Sequence, residues 1–250
     1  MHRLPLTPLV ARIGALPPSA ARYLVRVLRL RVGDEFEAFD PRAGVRAKGA
    51  VTSIDRDQVI VAIDQVQPSE RDASPLVLVQ GHPKGDKLGD IVRDATELGA
   101  TAIVTALCAR SIARPQGDKL VARERRLAAI ADEAARQCGR ARAPTVLSPM
   151  PWDDAVETTK SLAAHGFVLW ERATTPLIDD LTALARSTDE LARGVAFFVG
   201  PEGGLTDDEV SIADRAGFPA RSLGSTILRT ETAATAVLGA FRVVTARARA

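Results

Sequence analysis

The spacing of apolar positions changes part-way along the chain. Up to residue 72 they fall in short runs, Glu35–Phe39, Arg46–Ile54 and Gln58–Ile63. Val59, Val61 and Ile63 alternate with Ile60, Ala62 and Asp64, a two-residue repeat that reads as a strand with one buried face. Turn chemistry at Asp40–Pro41, Ala43–Gly44 and Arg56–Asp57 separates the runs. Short strands this close together predict a small β-barrel. One helix interrupts them over Ser19–Leu28, with Ser19 as its cap and Tyr23, Val27 and Leu28 on one face.

A polar stretch with two prolines, Pro68–Pro75, reads as a linker. Beyond it the period becomes helical and the strands become continuously apolar. Leu76–Gln80 is a strand; Asp86 stands at the cap of a helix carrying Leu88, Ile91, Val92, Ala95 and Leu98 on one face, and Gly99 stops it. Thr101–Leu107 is a second strand, Lys119–Gln137 a long helix, and Phe167–Glu171 and Val195–Val199 are further strands. Strand and helix alternating at this spacing predict an α/β fold with a parallel sheet covered on both faces. The expected organisation is a small β domain over residues 1–72 and an α/β domain over residues 73–250. No internal repeat is visible.

Composition narrows the function. An apolar fraction of 46% in 250 residues excludes a wholly disordered chain. Basic and acidic residues nearly balance at 33 and 31, so any polyanion must meet a local patch of positive charge. Two patches qualify. Up to Arg31 there are six arginines and no acidic residue, and between Arg110 and Arg142 nine basic residues face four acidic ones. Aromatics at 4% are too few for a base-stacking sheet. Cys108 and Cys138 make no disulfide scaffold, and His2, His82 and His165 are too scattered for a metal cluster. No run reaches the roughly 18 apolar residues of a membrane span, and Met1–Pro5 carries no apolar signal core. The expectation is a soluble cytoplasmic protein with no metal and no membrane partner.

Two stretches carry candidate chemistry. Val199–Leu205 (VGPEGGL) follows a strand, at the end where open α/β sheets bind ligands. Gly200, Gly203 and Gly204 allow tight turns and close approach of a ligand to the backbone. Thr206 and Glu209 form a capping-box pattern for the next helix, with Leu205 and Val210 as its staple and Gly217 and Pro219 as its end. The second stretch, Leu223–Ala233 (LGSTILRTETA), joins the short strand Ala220–Leu223 to a final helix with Ala234, Val237, Leu238, Phe241 and Val244 on one face. Arg229 and Glu231 flank that helix start, where the dipole favours a carboxylate and an arginine suits an anion. No G-x-G-x-x-G follows the first strand, and neither a P-loop nor a G-x-S-x-G elbow is present.

GPEGGLTDDE and LGSTILRTETA together resemble the SPOUT-class RNA methyltransferases, and more narrowly the ribosomal RNA small subunit methyltransferase E family. Tyr23–Asp34, Lys84–Lys87, Thr96–Gly99 and Gln137–Arg140 match in the family's order. The resemblance implies a PUA-like RNA-binding barrel followed by a SPOUT α/β domain whose C-terminal part threads a trefoil knot. It implies S-adenosyl-L-methionine as cofactor, a homodimer, and methylation of N3 of one uridine in 16S rRNA of the small ribosomal subunit. The chain departs from the family at Thr226 and Asp94, where relatives often carry basic residues.

On that reading Gly200, Pro201, Glu202, Gly203, Gly204, Leu223, Gly224, Ile227, Leu228 and Thr232 bind the cofactor, largely through backbone groups. Arg3, Arg22, Arg26 and Arg29 position rRNA phosphates. Uridine N3 must lose its proton, and the resulting charge spreads to the uracil oxygens. Arg229 is the candidate to stabilise that charge. Glu231, then Glu202, are the candidate bases. A SPOUT enzyme acting on tRNA or on a ribose 2′-hydroxyl, an inactive rRNA-binding assembly factor, and an unrelated nucleotide-binding α/β protein remain as alternatives.

Overall fold

A computed structural model describes residues 1–55, 58–69, 74–111 and 117–246. The turn expected at Arg56–Asp57 and the middle of the expected linker, 70–73, lie outside these residues. The chain forms two compact units: residues 1–71 with 132–143, and residues 72–131 with 144–250. The inclusion of 132–143 in the first unit had no signal in the hydrophobic pattern.

The first unit holds β1 (His2–Pro5), β2 (Arg12–Ala15), α1 (Pro18–Arg22), β3 (Glu35–Asp40), β4 (Val45–Ile54), β5 (Val59–Ile63) and β6 (Gln67–Pro68). Their sheet runs β1-β3-β4-β5-β2, with β6 beside β4. All pairings are antiparallel except β1 with β3. In β5, Val59, Val61 and Ile63 are buried and Ile60 and Ala62 are not, as the alternation requires. Leu4, Leu24, Phe36 and Val61 centre the core. Gly49 is needed there, since a Cβ would stand 2.6 Å from the Phe36 ring.

The expected helix over Ser19–Leu28 is divided. Pro17 and Pro18 set its start, so Ser19 lies inside the first turn and caps nothing. After Arg22 the winding widens to a π-helical turn over Tyr23–Val27, closed by Leu28 N–H donating to Tyr23 O at 3.0 Å. The wider winding shifts the buried face: Leu24 faces the core, while Tyr23 and Val27 are exposed.

The second unit contains β7 (Leu76–Gly81), α2 (Lys87–Glu97), β8 (Ala102–Leu107), α3 (Asp118–Cys138), β9 (Thr145–Val146), β10 (Met150–Pro151) and α4 (Trp152–Leu162). Then come β11 (His165–Leu169), α5 (Leu177–Leu184), α6 (Thr188–Ala192), β12 (Val195–Val199), α7 (Asp207–Arg215), β13 (Ala220–Arg221) and α8 (Thr230–Ala246). The last turns of α3, from Asp132, group with the first unit. The sheet order is β10-β8-β7-β12-β11-β13, with β9 also beside β8, and every pairing is parallel. Every residue of β7 and β12 is buried, as expected of a sheet covered on both faces. Phe198, with Trp152 and Phe218 against its ring, anchors one layer of core, and Phe197 with Phe241 another.

Sheet order changes direction at β7, which has β8 on one side and β12 on the other. The backbones at that point touch. A Cβ on Gly81 would lie 2.6 Å from Pro201 N and Cδ and 2.9 Å from the Gly200 carbonyl carbon. Backbone cannot yield as a flexible side-chain tip can. Gly81→Ala is therefore expected to destabilise the protein by about 1–3 kcal/mol, measured by urea unfolding.

The next residue, His82, is fully buried, and both ring nitrogens lack a partner among the described residues. Burial lowers its pKa from 6.5 to about 4, aided by the Arg123 charge and opposed by Glu202. The unfolded chain takes up this proton near 6.5 and the folded chain only near 4. Stability must then fall as pH drops through that interval. His82→Leu is expected to flatten the slope between pH 7 and pH 4, read from urea midpoints.

Candidate functional site

Three loops leave the carboxyl ends of neighbouring strands in the second unit. Trp170 and Glu171 follow β11, Gly200–Leu205 follows β12, and Ser222–Arg229 follows β13. Together they line one open cavity of about 410 Å³. That is the size range of small-molecule sites, at the position where parallel sheets bind ligands.

Local sequence fixes each loop. Thr206 Oγ1 accepts from Glu209 N–H and the Glu209 carboxylate accepts from Thr206 N–H, completing the expected capping box. The other oxygen of buried Glu209 accepts from Ala109 N–H at 2.7 Å, and Trp152 Nε1 donates to the Glu209 carbonyl at 2.9 Å. The start of α7 is thus bonded to the segment after β8. Arg110 donates to Gly203 O at 2.9 Å and Leu205 O at 3.4 Å, clamping the loop from outside. Gly203 is accordingly needed for packing on Arg110, whose Cβ would lie 3.0 Å from an added Cβ. Gly204 and Gly224 have φ of +70° and +127°, which disfavour any side chain.

A buried node joins the loops. Thr230 Oγ1 donates to Gly200 O at 2.6 Å and accepts from Gln80 Nε2 at 2.8 Å. Gln80 Nε2 also donates to Gly81 O at 2.9 Å. One hydroxyl therefore ties β7, the glycine loop and the first turn of α8.

Beside the cavity, Lys87 Nζ lies 3.0 Å from Glu202 Oε1 and 3.2 Å from Glu231 Oε2. Lys84 N–H also donates to Glu202, at 3.2 Å. For Glu202, partial burial opposes ionisation, but its own backbone N–H, Lys87 and Lys84 outweigh it and hold the carboxyl below its ordinary range. The Glu231 carboxyl is lowered first by its own backbone N–H at the helix start, then by Lys87, against some desolvation. The same contacts raise the Lys87 pKa. Arg229 lines the cavity, is exposed, and makes no side-chain hydrogen bond or ion pair among the described residues.

Two family models match. An RNA methyltransferase PUA domain covers residues 16–64 and an RNA methyltransferase domain covers residues 70–242. The ribosomal RNA small subunit methyltransferase E of Synechocystis is 34% identical over 95% of this chain and 76% of its own length. The chain belongs to the ribosomal RNA small subunit methyltransferase E family. The Bacillus subtilis member is 30% identical over 88% of this chain and 85% of its own. The crystal structure of the Neisseria gonorrhoeae member bound to S-adenosyl methionine superposes with a TM-score of 0.72, at 27% identity over 98% of each chain. The SPOUT-type α/β domain and PUA-like β domain expected from the motifs are those of this family.

Within this methyltransferase fold, Gly200, Pro201, Glu202, Gly203, Gly204, Leu223, Gly224, Ile227, Leu228 and Arg229 all line the one cavity. Thr232 and Glu231 stand outside its lining; Thr232 is exposed on α8, and Thr230 and Ala233 occupy the wall instead. Thr226 lines the cavity, while Asp94 lies on α2 paired with Arg93 at 2.9 Å. In the first unit, Arg3 pairs with Glu37 at 2.7 Å and lies over the Phe39 ring, whereas Arg22, Arg26 and Arg29 are exposed. Residues that pattern reading missed include Trp170, Glu171, Lys87, Arg110 and the Gln80–Thr230 node. Glu171 had a signal, being an acidic residue at a strand's carboxyl end. Among the described residues no group of three or more His, Cys, Asp or Glu is placed to hold a metal ion, and no helix is long and apolar enough to cross a membrane.

Thr230→Val keeps the side-chain shape but leaves Gln80 and the Gly200 carbonyl short of a partner. The expected cost is about 1–3 kcal/mol in thermal or urea unfolding, with weaker cofactor binding by calorimetry. Lys87→Met is expected to raise the Glu202 and Glu231 carboxyl pKa values, followed by NMR titration. The stabilisation these depressed carboxyls give is present above their ordinary pKa and is lost as pH falls through the lowered values.

Proposed function

We propose that this chain transfers a methyl group from S-adenosylmethionine to N3 of one uridine in 16S rRNA. The observation carrying the reading is the open cavity lined by three loops at the sheet's carboxyl ends, two of them glycine-bearing, in a member of this family. The lining fits the cofactor. Glycines leave backbone edges uncovered, Leu223, Ile227 and Leu228 supply apolar contact, and Glu171, Glu202 and Arg229 supply charge. Trp170 Nε1, a buried donor without a partner among the described residues, belongs to the same wall. When bound, the cofactor supplies an electrophilic sulfonium methyl.

The chain's own residues hold and orient the uracil. Arg229, exposed at the cavity and without a side-chain hydrogen bond or ion pair among the described residues, is placed to stabilise negative charge on the uracil oxygens as N3 loses its proton. Glu231 and Glu202 are each engaged by Lys87, which makes both weaker bases and favours a structural role for the triad. The uridine enters unpaired, because N3 is buried in a base pair. The exposed Arg22, Arg26 and Arg29 of the first unit serve rRNA phosphates. Completion of the reading is a cytoplasmic homodimer whose C-terminal segment threads a knot. In support of threading, Thr230 at the start of α8 reaches Gly200 and Gln80 where the backbones of Gly81 and Pro201 touch.

Nucleoside mass spectrometry of 16S rRNA from a deletion strain tests the function. Loss of 3-methyluridine, restored by the wild-type gene, is expected; unchanged 3-methyluridine refutes the substrate assignment. Arg229→Ala is expected to bind cofactor normally and to lose about 10²–10³-fold in turnover on small-subunit RNA.

A further inference from the structure

We infer that Glu171 is the anionic acceptor that holds a hydrogen-bond donor of the bound cofactor, its ribose diol or its ammonium group. This rests on the methyltransferase reading above.

The argument starts from the carboxylates at the site. Glu202 and Glu231 both spend their charge on Lys87, at 3.0 and 3.2 Å. Glu171 lines the cavity, yet its side chain makes no hydrogen bond or ion pair among the described residues. An ionised carboxylate is acceptor-only, and it binds most strongly to N–H and O–H donors that a ligand brings with it.

Its stem is held. Trp170 N–H donates to Arg221 O at 3.1 Å and Ala173 N–H to Trp170 O at 3.0 Å, so the turn after β11 is bonded on both sides of Glu171. The Arg172 guanidinium lies 4.3 Å from the centre of the Trp170 ring and pairs with Asp207 at the start of α7. The loop opposite leaves space for the carboxylate. Glu171 Oε1 is 3.3 Å from where a Cβ on Gly204 would stand, and Gly204 has a φ of +70°. An anion on a fixed turn, against a glycine of the ligand-binding loop and with no hydrogen bond or ion pair among the described residues, is the arrangement of a ligand contact. Beside the adenine amine, adenosyl cofactors offer two donors well matched to a carboxylate, the ribose hydroxyls and the ammonium of the amino-acid end.

The test is isothermal titration calorimetry on the full chain with two probes. S-adenosylhomocysteine carries both donors; 5′-methylthioadenosine keeps the diol and lacks the ammonium. Glu171→Gln, nearly isosteric and exposed, is expected to keep the ligand-free melting midpoint and to bind S-adenosylhomocysteine about tenfold more weakly. Glu171→Asp is expected to fall between. A parallel loss for 5′-methylthioadenosine assigns the nucleoside end, where the diol is the stronger donor, and an unchanged affinity assigns the ammonium. If wild type binds S-adenosylhomocysteine and Glu171→Gln binds it within twofold, Glu171 has no such role. If wild type binds neither probe, the methyltransferase reading falls, and this inference with it.

Discussion

The contact between Gly81 and the Gly200–Pro201 backbone is the constraint on which the site depends. It lies where sheet order reverses, between β7 and β12, and leaves no room for a side chain. Once these two segments touch, the Gly200 carbonyl sits within reach of the Thr230 hydroxyl, and Thr230 within reach of Gln80. The first turn of α8 is thereby fixed against a fully buried strand. The loop between β13 and α8 has its exit point set by the same node. A cavity made of loops thus takes its geometry from the most buried part of the sheet.

Electrostatics at the rim follow from that placement. Fixing α8 brings Glu231 to the side of Lys87 that Glu202 already occupies from the glycine loop. The ammonium joins the ends of three segments: α2, the glycine loop and α8. The two glutamates that looked most reactive in the sequence are both engaged by Lys87. Arg229, two residues before Glu231, escapes that pairing and stays in the cavity wall.

Much of the fold was legible because its signals are local. The alternation in β5, the capping box at Thr206–Glu209 and the continuous apolar strands β7, β8 and β12 needed only neighbouring residues. The glycine loops were legible as a candidate site because glycines clustered after a strand have few other uses, and they do line one cavity. What escaped depends on distant chain. The Gln80–Thr230 bond spans 150 residues and the Lys87–Glu231 contact 144, and no periodicity records them. The π-helical turn at Tyr23–Val27 moved the buried face to Leu24 by a change of winding that composition does not announce. Asp86 stands at the N-cap of α2 as expected, but its carboxylate makes no cap bond and is taken by Arg126 at 3.0 Å, a partner 40 residues away.

The grouping of residues 132–143 with the N-terminal unit has a consequence for synthesis. Arg42 pairs with Asp132, Ala143 N–H donates to Pro41 O at 3.1 Å, and the Arg142 guanidinium lies against Gly44. The unit that begins the chain is therefore not contiguous in it. As the polypeptide leaves the ribosome, the β sheet is complete long before the segment that docks beside it emerges. The first unit must wait, with that flank open, until the strands and helices of residues 76–131 have been made. No single cut in the chain yields both units whole.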